Sequence, residues 1–284
     1  MDIGIGLPTT LDIAGPDLVA WARRAEERGF ASLGTIDRIV YPNYDSLTAL
    51  AAAAAATTRV RLFTDILLTP LYRPVHLAKV TASVDALSGG RLTLGLGVGG
   101  RPDDFAAMDR PFKRRGALMD ETLDLLQRAW AGEPVAGGEF PVGPRPVRGR
   151  VPILVGGSGD RAVERTVRWG DGWTMGGGTP EMAAQTVPRI RQAWREGGRD
   201  GEPRLAALCY YGFADATETS AALRRYYGFL GDYADRVAQS AITSPAAAAA
   251  AVRAFADAGL TELVFFPTIP QLSEVDALAD AVLK

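Results

Sequence analysis

At 284 residues, 47% apolar and 23% charged, the chain has the profile of an ordinary globular protein, which excludes disordered, collagen-like and fibrous classes. Its 31 basic and 33 acidic side chains nearly cancel, so it lacks the basic excess that grips a nucleic-acid backbone. A single cysteine, Cys209, permits no intrachain disulfide, and a single histidine, His76, leaves a Cys/His zinc site without ligands, so no metal is expected.

The first predicted element is Asp2 to Leu7, a short apolar run ended by Pro8 and read as a buried strand. Nothing at this start has the basic and long apolar regions of a signal peptide, and no later run reads as a membrane span, so the expected compartment is the cytoplasm. A helix from Gly15 to Arg28 follows, ended by Gly29. Next come a strand over Ala31 to Ile36, an alanine-rich helix over Asp45 to Thr57, and a strand over Val60 to Leu67. A helix over Val75 to Leu87 leads to a fourth strand, Arg91 to Val98.

The alternation then continues. Helices are expected over Arg114 to Trp130, Arg161 to Trp169 and Pro180 to Glu196, with strands over Val151 to Val155, Asp171 to Met175 and Arg204 to Phe213. Helices over Thr217 to Gly231 and Pro245 to Ala258, a strand over Glu262 to Phe266 and a helix over Ser273 to Leu283 complete the chain. Eight strands alternating with helices predict a (β/α)8 TIM barrel, one domain over 1–284, with insertions after strands 4 and 7. The stretches outside a minimal barrel are Gly99 to Lys113, Gly132 to Arg150, read as a loop or small hairpin, and Asp215 to Thr243.

Barrel enzymes place their sites at the carboxyl ends of the strands, so the residues that follow each strand are the candidates. Asp37 and Arg38 follow the second strand, either as a rim ion pair or as working groups. Asp65 lies inside the apolar run Leu62 to Leu67 and is either a rim residue or a buried hydrogen-bond anchor. Glycines crowd after strands 4, 5 and 6. The turn Gly156-Gly157-Ser158-Gly159 opens onto a helix, where backbone N–H groups favour an anion. Gly95, Gly97 and Gly100 match a dinucleotide spacing but follow the fourth strand rather than the first, which argues against that reading. His76 reads as an ordinary helix residue and Cys209 as core. Tyr226, Tyr227, Phe229 and Tyr233 are equally consistent with a helix packed on the barrel and with a lid over an apolar substrate.

Several runs together resemble the bacterial-luciferase-like flavin and deazaflavin oxidoreductases. They are Leu87 to Gly99, Pro152 to Ser158 followed by Gly170-Asp171-Gly172-Trp173, Arg115-Gly116 through Met119-Asp120-Glu121 to Trp130, and Ala258 to Leu263. The resemblance implies a (β/α)8 barrel that holds coenzyme F420 or FMN and exchanges a hydride with a small organic substrate. The rival on the same fold is an FMNH2-dependent monooxygenase that inserts one atom of O2. It also implies a cofactor phosphate on Val98, Gly99, Gly100, Gly156, Gly157 and Ser158, with Met175 nearby, and a bulge with a non-prolyl cis peptide at Thr64, Asp65 and Ile66, behind the ring. The family often has Asp-His after strand 2; here Asp37-Arg38 stands there, so acid/base work falls to Asp37, and Arg38 is left to stabilise a developing anion. FMN-using luciferases commonly carry arginine where Val98 stands, which favours F420. Outside this family, a glycoside hydrolase would need a facing carboxylate pair that nothing in the sequence fixes. A non-catalytic flavin binder would be a family member that had lost its acid/base group at position 38. The alanine-rich helix, apolar nearly all round, predicts a homodimer with the third helix at the interface.

Overall fold

In the computed structural model, which describes residues 1–283, eight parallel strands close into a barrel in sequential order. They are β1 (Asp2–Gly6), β2 (Ser32–Thr35), β3 (Arg61–Leu68), β4 (Leu92–Gly97), β5 (Ile153–Gly156), β6 (Gly172–Thr174), β7 (Arg204–Tyr211) and β8 (Glu262–Pro267). The first helices are α1 (Gly15–Arg28), α2 (Ser46–Ala56), α3 (Pro74–Leu87), α4 (Pro102–Ala107), α5 (Arg115–Trp130) and α6 (Asp160–Trp169). The others are α7 (Pro180–Glu196), α8 (Ala216–Tyr227), α9 (Tyr233–Gln239), α10 (Pro245–Asp257) and α11 (Ser273–Val282). Strand β1 pairs with both β2 and β8, which closes the ring and confirms the TIM barrel.

Side-chain size fits the strands together. A Cβ on Gly6 would lie 2.3 Å from the Phe266 ring and one on Gly34 2.7 Å from it, so β1 and β2 make room for a ring from β8. On the outer side, the apolar faces of α1, α2 and α3 pack on the strands through Trp21, Leu50 and Leu77. Arg91 ties α2 to this layer: its guanidinium donates to the carbonyls of Ala54, Thr57, Val60 and Ser88. That part of the Leu87 to Gly99 run is therefore scaffolding.

The amino-terminal end of the barrel is filled by charge. Glu262 is buried and accepts from Ser32 Oγ at 2.6 Å, Arg61 Nη2 at 3.1 Å and Arg204 Nη2 at 2.8 Å. Arg204 also donates to Thr93 Oγ1 at 3.1 Å, so β2, β3, β4, β7 and β8 share one network.

Several expectations change. The helix expected over Thr217 to Gly231 ends at Tyr227, because Gly228 starts a 3-10 turn and Gly231 takes φ 57°; α9 then follows as a separate helix. The stretch after β4 holds α4, which Pro102 opens in its first turn. The stretch 132–150 forms no hairpin; Asp85 accepts from Val147 N–H and Lys79 donates to the Gly143 carbonyl, which pins it as a loop. On the alanine-rich helix, Ala53 is buried against the barrel, and Thr48 and Ala55 face out instead.

Candidate active site

A cavity of ≈ 390 Å³ opens at the carboxyl ends of the strands. Of the expected residues it gathers Asp37, Asp65, Ile66, Val98, Gly99, Gly100, Gly156 and Gly157. Four do not line it. Thr64 is fully buried and donates to the Gly95 carbonyl at 2.9 Å. Ser158 is exposed outside the mouth, Met175 packs against the main core, and Arg38 is turned away into aromatic rings. The sequence reading did not single out Ile36, Leu68, Arg101, Leu208 or Tyr210 as lining. Ile36, Leu68, Arg101 and Tyr210 sit near or just past strand ends and Leu208 lies within β7, and their apolar or loop context reads as core or rim.

The floor comes from a break in β3. Pairing between β3 and β4 shifts register between Thr64 and Leu67, and the Asp65–Ile66 peptide is cis, as the resemblance implied. A bulge puts two successive residues on one side, and both Asp65 and Ile66 line the cavity. Ile66 is accommodated by glycines: a Cβ on Gly97 would lie 2.0 Å from its Cδ1, and one on Gly156 3.2 Å from its Cγ2. The result is a smooth apolar ledge across β3, β4 and β5.

Two buried carboxyls face this space. Asp37 accepts from Leu68 N–H at 2.9 Å and from the Tyr72 hydroxyl at 2.9 and 3.0 Å. Burial pushes its carboxyl up to about 7; these two donors pull the other way, while Asp45 and Asp104 add to the rise. Asp65 accepts from Thr174 Oγ1 at 2.7 Å, and its other oxygen has no partner among the described residues. Burial raises it also to about 7, against the Thr174 bond, with Glu262 adding. Asp65 is thus the buried anchor rather than a rim residue.

The roof is aromatic. The Arg38 guanidinium lies 4.4 Å from the Tyr41 ring centroid, 5.4 Å from that of Tyr226 and 5.9 Å from that of Phe229. It also donates to the Tyr226 carbonyl at 3.2 Å. Arg101 stands 3.7 Å from the Phe229 ring centroid and is paired with Asp103 and Asp104. Tyr210 and Tyr227 meet hydroxyl to hydroxyl at 2.5 Å. Of the aromatics after β7, Tyr226, Tyr227 and Phe229 line the cavity, Tyr226 and Tyr227 also packing on the barrel core, while Tyr233 is exposed away from it.

At one side lies the turn from β5 into α6. Gly157 takes φ 112°, a left-handed conformation that suits glycine. The Trp173 indole donates to its carbonyl at 2.6 Å, which explains the tryptophan of the Gly170 to Trp173 run. Arg189 donates to the Ser158 carbonyl at 3.0 Å and pairs with Asp160. Helix α6 has no side-chain cap, and an uncapped helix N-terminus is an arrangement suited to an anion.

The profile of the luciferase-like monooxygenase family matches residues 1–265. The chain belongs to the luciferase-like monooxygenase family. An uncharacterized protein of Mycobacterium tuberculosis is 30% identical over 221 residues, covering 68% of this chain and 76% of that protein. The F420-dependent glucose-6-phosphate dehydrogenase of Kribbella flavida is 30% identical over 222 residues, covering 71% of this chain and 66% of that one. Among solved structures, monooxygenase RslO1 of Streptomyces bottropensis superposes with TM-score 0.77 at 24% identity, covering 100% of this chain and 99% of that one. An F420-dependent secondary alcohol dehydrogenase, solved with an F420-acetone adduct, superposes with TM-score 0.81 at 20% identity and the same coverage. These two show a shared fold. The family is one of oxidoreductases and monooxygenases, and this luciferase-like barrel has, among its described residues, no helix long and apolar enough to cross a membrane.

Proposed function

We propose that this luciferase-like protein is an oxidoreductase that takes coenzyme F420, or else FMN, into the cavity and exchanges a hydride with a small organic substrate there. The observation that carries the reading is one cavity holding both a glycine-lined ledge and a buried carboxyl, Asp37. The residues present fit a flat ring with a phosphate arm. Ile66 offers an apolar surface over Gly97 and Gly156, and a Cβ on Gly100 or Gly176 would meet nothing within 4 Å, so bare backbone faces open space there. Val98, Gly99, Gly100, Gly156 and Gly157 would hold the group, with Asp65 and Ile66 behind the ring. When bound, it supplies the hydride chemistry.

The chain's own part is to position and to move a proton. With its carboxyl near 7, Asp37 can take a proton from a substrate hydroxyl or return one to a carbonyl oxygen at neutral pH. Leu208, Tyr226 and Phe229 give apolar walls that exclude water from that exchange. Val98 favours F420, as does the relationship to an F420-dependent dehydrogenase, and Arg101, the guanidinium that lines the cavity, is already engaged by Asp103 and Asp104.

Titration with oxidised F420 and with FMN, followed by absorbance or fluorescence, tests the reading; preferential F420 binding is expected. Binding of FMN alone, with O2 uptake on reduction, would move the assignment to an FMNH2-dependent monooxygenase. No binding of either would overturn it. We also read the chain as one barrel domain that pairs into a homodimer through α2 and α3, because α2 leaves Ala55 exposed and Ala51, Ala52 and Ala56 half-buried on its outer side.

A further inference from the structure

Asp37 does not stand alone at the cavity. Tyr72, just past the 3-10 turn that ends β3, donates its hydroxyl to both carboxyl oxygens, at 2.9 and 3.0 Å. Tyr72 does not itself line the cavity. Its ring packs among Leu68, Leu71 and Phe105, so the phenol is fixed independently of any ligand. The Tyr72 hydroxyl is pushed far up by burial and by the adjacent carboxyl, so it remains a donor at every working pH.

We propose that Tyr72 is the positioning residue of the reaction: it aims the Asp37 carboxyl and, by donating to its charged form, keeps it able to accept a proton. The proposal rests on the assignment of Asp37 as the acid/base group. Its physical content is a balance. Burial disfavours the carboxylate, and Asp45 at the start of α2 and Asp104 of α4 oppose its charge. The Arg38 guanidinium next in sequence is committed to the Tyr226 carbonyl, to the rings of Tyr41, Tyr226 and Phe229, and to Asp103 at 3.8 Å. Among the described residues only Leu68 N–H and the Tyr72 hydroxyl donate to the carboxylate, and only the second can be removed without touching the backbone. Removing a donor to the charged form raises an acid's pKa.

Tyr72→Phe keeps the ring and deletes the donor. In protein labelled with carboxyl-13C aspartate, the Asp37 resonance, assigned by its loss in Asp37→Asn and kept apart from Asp65 by its loss in Asp65→Asn, should titrate about one pH unit higher in Tyr72→Phe than in the unmodified chain, a tenfold change in proton affinity. With F420, or with FMN if that is the cofactor taken, the pH limb of hydride transfer should move the same way. An Asp37 midpoint unchanged by the loss of the hydroxyl would overturn the proposal. If Tyr72→Phe does not fold, the unmodified protein decides the matter through 13Cζ-labelled tyrosine. The Tyr72 signal should follow the Asp37 titration with the same midpoint, and a Tyr72 signal indifferent to it would overturn the proposal. If neither cofactor is bound, the functional assignment falls, while the two NMR titrations still judge Tyr72.

Discussion

A carboxyl buried as deeply as that of Asp65, with one oxygen unpartnered among the described residues, costs stability whenever it is charged. Its folded value, about 7, lies above the ordinary 3.8, so the folded state binds the extra proton between those values. The stabilising effect of that proton is full below the ordinary value and is lost as pH rises through about 7. Asp65→Asn keeps an acceptor for Thr174 and cannot ionise. It should therefore unfold later than the unmodified protein at pH 8, by up to about 4 kcal/mol, with the gap closing as pH falls toward 4. Chemical denaturation at the two pH values checks this, and an equal gap at both would contradict it. Gly157 carries a different demand. Its φ is 112°, and a Cβ placed on it would lie 3.3 Å from that of Ala162, so the anion turn has no comfortable place for a side chain. Gly157→Leu should weaken cofactor binding by at least ~1.4 kcal/mol, a factor of ten. Unchanged affinity in a folded variant would put the phosphate elsewhere.

Among the elements, two buried cations meet the roof, Arg101 at Phe229 and Arg38 at three rings. Arg38 touches rings from the β2–α2 segment, from α8 and from the 3-10 turn after it. Cation–π contacts of this kind contribute about 0.5–2 kcal/mol each. Arg38→Met should raise amide exchange over residues 216–230 by roughly tenfold while exchange in the barrel strands stays put; unchanged exchange over that segment would mean that the roof holds without the cation. This role was not legible in the sequence, where Arg38 beside Asp37 suggested an ion pair or an anion stabiliser. The rings that receive it come largely from a segment 188 residues away, as its bond to Tyr226 shows. The strands were legible because a barrel strand is buried on both sides and reads as a short apolar run between turn residues, as in Leu62 to Leu67. The glycine ledge was legible too, since glycine after a strand means close backbone approach. Tyr72 was not: it lies just past the 3-10 turn that follows the strand, and no period marks a single tyrosine there.

For the whole molecule, the outer alanines of α2 bear on assembly. Alanine lets helix axes approach closely, and a two-fold pair would set the same strip against itself. Sedimentation should give about twice the 30.1 kDa chain mass at micromolar concentration. Ala52→Arg, on the half-buried side, should give folded monomers, whereas Ala53 is committed to the barrel and would report on folding instead. A monomer in the unmodified protein would sink the pairing.

The charged plug around Glu262 bears on traffic. With Arg61, Arg204 and Ser32 filling the amino-terminal end of the barrel, nothing passes through from below, and whatever enters must come through the mouth on the other side. Two molecules that share one doorway queue. The one that lies on the ledge has to arrive first and leave last, since its later partner stands between it and solvent. If the ledge holds the cofactor as proposed, turnover follows a compulsory order, and the substrate's dead-end analogues should compete with substrate yet act as uncompetitive inhibitors toward the cofactor.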